Sequence, residues 1–281
     1  MNSTAGLERR LPSSQLESFR SSWSGLSRSS QFLVVYAALM VLALAVTYLV
    51  SLGETQTLRG VGIWAKPIKF MAATALFAVT TVWLVSLVDR RGGQATDQAN
   101  DQPIDQIRAF KGVTWLIVVT SLFEVAYITF RASQGEASHY NTSDPVRAIL
   151  FGVMAVAAVG LTASQAWLAW IIWRMRPAGR VSVMTLSVLI ALVMTFALST
   201  VSGFMLGASQ PPAGAGMPIT GWHWHQDLRP SHFLAVHAQQ LIPLLGLGAA
   251  YAFDQYARTA VVMGSVFYFG AWLMLSLSTL T

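Results

Sequence analysis

Apolar residues gather in seven long runs, near 32–52, 67–88, 112–130, 147–173, 181–207, 231–252 and 259–279, separated by short polar segments. About 20 apolar residues cross the hydrocarbon core of a bilayer as a helix. The fourth and fifth runs are long enough to tilt or to project beyond it. Only helices and closed barrels satisfy their backbone in lipid, so the pattern predicts an all-α fold: a polytopic transmembrane bundle of seven helices over residues 31–281. Residues 1–30 are rich in serine and carry Arg9, Arg10, Arg20 and Arg28. They resemble the n-region of a signal peptide, but the run that follows is too long for an h-region and lacks a small-residue cleavage site. The expectation is a disordered tail, then an uncleaved first helix. The stretch DRRGGQATDQANDQPIDQ (89–106) reads as a solvated linker, and no internal repeat is visible.

Composition sharpens this. Of 281 residues 54% are hydrophobic and only 11% charged, against about a quarter charged in a soluble domain. With no cysteine, disulfides, thiolate metal ligands and covalent c-type haem attachment are excluded. The net charge of +6 follows from the way Lys and Arg are shared between the two sides. With the N-terminus inside, the inner segments hold twelve of them: Arg9, Arg10, Arg20, Arg28, Arg90, Arg91, Arg108, Lys111, Arg174, Arg176, Arg180 and Arg258. The outer segments hold six: Arg59, Lys66, Lys69, Arg131, Arg147 and Arg229. Cytoplasmic loops are enriched in Lys and Arg, so the bias predicts N-terminus in and C-terminus out. The expected partners are the bilayer and a small anionic or lipid-like ligand, not nucleic acid.

All five histidines fall on the outer side of this topology. In the third run Glu124 precedes Arg131 by seven residues, which puts both on one helix face about 10 Å apart. Both are expected to face the bundle interior, because a charge at the centre of a lipid-facing helix costs about 2.5–3.5 kcal/mol. His237 lies at matching depth below Pro230, so Glu124 and His237 are the expected acid–base pair or metal ligands, with a plain interhelical hydrogen bond as the alternative. His232 and His237 are about 140° apart around a helix, unlike the one-face pair of HExxH. Pro243 is expected to kink the sixth helix and free the Gln239 carbonyl. Pro67, Pro145 and Pro230 mark helix starts. Lys66, Lys69, Arg131, Arg147 and Arg229 would make the outer mouth electropositive if the bundle gathers them, although Arg59 and Arg147 also fit snorkelling interfacial residues. Trp222 and Trp224 suit an interfacial belt, and His223 and His225 read as ordinary loop residues. Asn141-Thr142-Ser143 matches a glycosylation sequon, a triplet common by chance.

The segments WAKPIKF (64–70), FEVAYITFRASQGEASHYN (123–141) and DLRPSHFLAVHAQQLIPL (227–244) together resemble a family of uncharacterised bacterial seven-helix membrane proteins. The resemblance implies a bacterial plasma (inner) membrane protein. It makes Lys66, Lys69, Glu124, His139, Asn141, Asp227, Arg229, His232, His237 and Gln239 family positions, and it implies no activity. A retinal protein needs a lysine in the seventh helix, and residues 259–279 contain none. The spacing of seven-helix zinc hydrolases related to ceramidases is not matched either.

Two functions stay open. One is a metal (Zn, Cu or Fe) or haem b site for redox or hydrolytic chemistry. His232, His237 and Glu124 would be its ligands, and His139, Arg131, Arg229 and Lys69 would hold the cofactor or an anionic substrate. The other is a transporter, receptor or sensor that binds a small anion without chemistry, aimed at by helix N-termini.

Overall fold

A computed structural model describes residues 23–92, 104, 108–176, 179, 181–212, 216–217, 220–223 and 225–278. Among these residues seven helices are long and apolar enough to cross a membrane: α1 (Arg28–Leu52), α2 (Ala65–Gly92), α3 (Arg108–Ser133), α4 (Pro145–Met175), α5 (Val183–Ala208), α6 (Arg229–Ala252) and α7 (Ala257–Leu277). The fold is all-α, and seven such helices point to an integral membrane protein. Each helix lies within a few residues of its apolar run, because an unbroken run must satisfy its backbone within itself. The expected tail lies outside the described residues up to position 22, as do most of the linker at 89–106 and Trp224.

Local chemistry sets several of the starts. Ser27 caps α1 by accepting from the Ser30 amide, and Ser182 caps α5 through the Thr185 amide. Asp144 caps α4 through the Arg147 amide, with Pro145 in the first turn. Such caps satisfy amides that have no partner inside the helix. Between α1 and α2 a two-residue antiparallel hairpin, β1 (Thr57–Leu58) and β2 (Val61–Gly62), turns the chain through Arg59 and Gly60, both in the left-handed region.

Neighbouring helices pack in sequence order, and α2 also touches α5 and α6. One core runs through α1 to α5, with Leu33, Phe110, Ile117, Leu168 and Leu192 fully buried. Large apolar side chains are left outward, among them Leu42 and Leu49 of α1, Val156 of α4, and Phe267 and Met274 of α7. An outward apolar surface of this extent suits lipid. The α5–α6 seam uses small residues: Ala191 meets Ala238, and a methyl at Gly246 would fall 2.6 Å from Ser187 Cβ. Close approach of small residues is the usual way helices gain packing energy in a membrane.

Candidate functional site

Three connections meet at one end of the bundle: the β1–β2 hairpin, the segment 134–144, and the described parts of the segment 209–228. Lys69 Nζ donates to the Thr220 carbonyl at 2.9 Å, tying α2 to the last of these. The Tyr140 hydroxyl donates to the Leu206 carbonyl and, at 3.2 Å, to that of Ser209. The Arg59 guanidinium lies over the Tyr140 ring, 6.0 Å from its centre. Tyr140 sits in the left-handed region at φ 57°, a strained position for an aromatic residue. These contacts from its side chain hold it there.

Beneath this lid lies a mixed aromatic and ionisable cluster. His139 meets Phe70 and Phe151, with ring centres 6.1 and 5.9 Å apart. Its Nδ1 is 3.1 Å from the Ser138 hydroxyl. Burial, and then the neighbouring Lys66 charge, push the His139 imidazole down to about 3, so it is neutral at physiological pH. Lys66 stands in the first turn of α2 with its ammonium 5.9 Å from the centre of the Phe70 ring. Glu124 of α3 is within electrostatic range of Lys66 and Tyr36 but forms no ion pair or hydrogen bond among the described residues. It is only 7% exposed. One turn before it, Ser121 hydrogen-bonds the Tyr36 hydroxyl of α1 at 2.8 Å.

The six cations of this end divide into two sets. Arg131 is buried as expected and pairs with Glu136, which also takes Arg147 at 2.9 Å. Arg147 further pairs with Asp144, and its hydrogen bonds hold the Asp144 carboxyl below the usual range. Arg229 grips Asp227 through Nε and Nη2 and also donates to the Gly221 carbonyl at 2.6 Å. Burial pushes the Asp227 carboxyl up, but its bonds to the Arg229 side chain and to the His223 and Arg229 amides outweigh this and hold it low. Arg59, Lys66 and Lys69 have no carboxylate ion-pair partner among the described residues.

The structure therefore regroups the candidates. His139 and Glu124 share Lys66 as a neighbour, while Lys69 lies toward Thr220 and Arg229. Arg131 and Arg229 are occupied by internal carboxylates. His237 is not brought to Glu124. It makes a tilted contact with Phe233, ring centres 4.0 Å apart, beside Gln240, and α3 and α6 share no substantial packing. His232 instead meets the Ser202 hydroxyl of α5 through Nδ1 at 2.9 Å. Among the described residues no group of three His, Asp or Glu side chains converges as a metal site. The set His232, His237 and Glu124 is thus not assembled, because matched depth along two helices says nothing about their azimuth. Asn141 bonds the Ala137 carbonyl and Ser143, closing a turn within the segment.

Sequence reasoning did not single out Tyr36, Ser121 or Tyr140. Tyr36 and Ser121 are ordinary residues of apolar helices, and no local pattern marks them. Tyr140 adjoins His139, but its left-handed backbone and its reach to α5 have no signature in the sequence. Comparisons with family models, with curated proteins and with solved structures return no match.

Proposed function

We propose that this protein is a transporter, receptor or sensor of a bacterial plasma membrane, with its N-terminus inside and its C-terminus outside, that captures a small carboxylate or phosphate anion at the loop-rich, outer end of the bundle. The observation that carries this reading is the division of cations. Arg131, Arg147 and Arg229 are neutralised by carboxylates, whereas Arg59 over Tyr140, Lys66 beside His139 and Lys69 at the Thr220 carbonyl have no carboxylate partner among the described residues. A partly dry site with surplus positive charge gains by taking an anion, since charge-assisted hydrogen bonds contribute about 1.5–3 kcal/mol each. The first turn of α2 adds the favourable end of its dipole. Glu124 is the internal charge with which the ligand competes for Lys66. The twelve-to-six distribution of Lys and Arg supports the orientation. For the metal alternative, no group of three His, Asp or Glu side chains converges among the described residues.

Titrating the purified full chain with acetate, succinate and inorganic phosphate tests the reading. Saturable binding of at least one, weakened at least tenfold by Lys66→Met, is expected. An unbound panel, or equal binding by Lys66→Met, refutes the site. Reporter fusions after Arg91 and after Arg176 should both read cytoplasmic; an external signal from either overturns the orientation.

A further inference from the structure

A second polar region lies deep between α5 and α6, away from the anion site and independent of it. The two helices run antiparallel in a register fixed by three contacts. His232 bonds Ser202 near one end, Gly246 abuts Ser187 near the other, and Ala235 packs with Leu198 between them. In that register Gln239 is level with Thr195, about 15 Å along α6 from its start. Both residues are 0% exposed. Gln239 leaves its Oε1 and its Nε2 without a hydrogen-bond partner, and Thr195 leaves its Oγ1. Pro243, inside the helix, also lacks the N–H that the Gln239 carbonyl would accept. On the α2 side, the next residue, Gln240, donates from Nε2 to Thr80 Oγ1 at 3.1 Å.

Leaving such groups dry is costly, because each forfeits the hydrogen bonds it makes in water. The unpaired set mixes donors with acceptors, so a bare cation or anion satisfies only half of it. Water satisfies both, and it needs two to four polar partners to be held. Above this level, past the Ala235–Leu198 and His232–Ser202 contacts, a cavity of ≈ 440 Å³ lies at the ends of α5 and α6, lined by Met205, Ala208, Gln226 and Leu228. Below Met205, positions 202, 199 and 195 follow at spacings of three and four, which keeps Ser202, Ser199 and Thr195 on one face of α5. Beyond Thr195 the seam closes where Ile242 and Ala191 pack and where Gly246 meets Ser187.

We propose that ordered water fills this seam from the outer cavity down to Gln239 and Thr195, forming a half-channel that ends near the middle of the bilayer. The floor is dry and close-packed, so water and anything that travels with it, protons included, gain access from one side only.

The chain has no cysteine, so single cysteines can be read without a background. Thr195→Cys and Gln239→Cys, with Ala191→Cys and Ile242→Cys as dry controls, are placed in the full chain in lipid nanodiscs. Each is treated with silver ion, a water-borne thiol reagent small enough for a narrow path, then quenched, denatured and labelled with a polyethylene-glycol maleimide. Silver should block Thr195→Cys and Gln239→Cys at least ten times faster than the controls. If Gln239→Cys fails to fold, Ser199→Cys replaces it beside Thr195→Cys. Equal rates at seam and control positions, whether slow or fast, overturn the half-channel.

Discussion

Replacing Asp227 by alanine tests whether the acid of the DLRP stretch is a ligand group or a fastener. Its carboxylate accepts from the His223 amide at 2.8 Å, the Arg229 amide at 3.0 Å, Arg229 Nε at 2.8 Å and Arg229 Nη2 at 2.7 Å. The Asp227 side chain is fully buried, while that of Arg229 is 30% exposed. Removing one partner of a buried pair costs about 3–5 kcal/mol. The low end, about 3 kcal/mol, applies here because Arg229 can turn toward water and keeps the Gly221 carbonyl. The loss is local to the loop and the first turn of α6, so hydrogen exchange reads it better than global melting. The His223 and Arg229 amides should exchange about 150-fold faster, since each 1.4 kcal/mol is a factor of ten. Asp227 has its folded value held below its unfolded one, so its stabilisation is present above about pH 4 and is lost as pH falls through the folded value. The same amides in the unaltered protein should therefore loosen only in acid below pH 4. Exchange unchanged within about threefold in Asp227→Ala would refute the fastener and leave Asp227 free to bind a ligand.

Glu124→Gln removes the carboxyl that competes for Lys66, so it should tighten anion binding about tenfold, the effect of one charge about 12 Å away at an effective dielectric near 20; weaker binding would show that Glu124 touches the ligand. His139 has its folded value depressed to about 3 from an ordinary 6.5. Its contribution is therefore complete above pH 6.5 and lost as pH falls, by about 2 kcal/mol at pH 5. His139→Gln should lose correspondingly less stability between pH 7 and pH 5, measured by denaturant unfolding in detergent; parallel curves contradict this. Gly246→Ala forces a methyl to 2.6 Å from Ser187 Cβ and should cost about 1–3 kcal/mol by overpacking. Pairing it with Ser187→Gly should restore most of that loss, and no rescue would mean that the α5–α6 register is misplaced.

The sequence by itself determined the seven helices and their lengths. A run of about 20 apolar residues has no way to satisfy its backbone in lipid except within itself, so the information is local and the runs match α1 to α7 closely. Burial of Glu124 and Arg131 was legible for the same reason, because lipid rejects charge wherever the neighbours are. Depth along a helix could also be counted from its start. Azimuth and partner choice could not, since they depend on how helices pack, and packing in lipid rests on small-residue contacts such as Gly246 against Ser187 rather than on a pattern of polar faces. The tertiary structure therefore decided that Glu124 shares its surroundings with Lys66 and not His237, and that His232 belongs to Ser202. It also decided which of the six cations at the loop-rich end are cancelled by carboxylates. That choice turns on where Glu136, Asp144 and Asp227 come to rest, and all three lie in connections whose course only the packed helices fix.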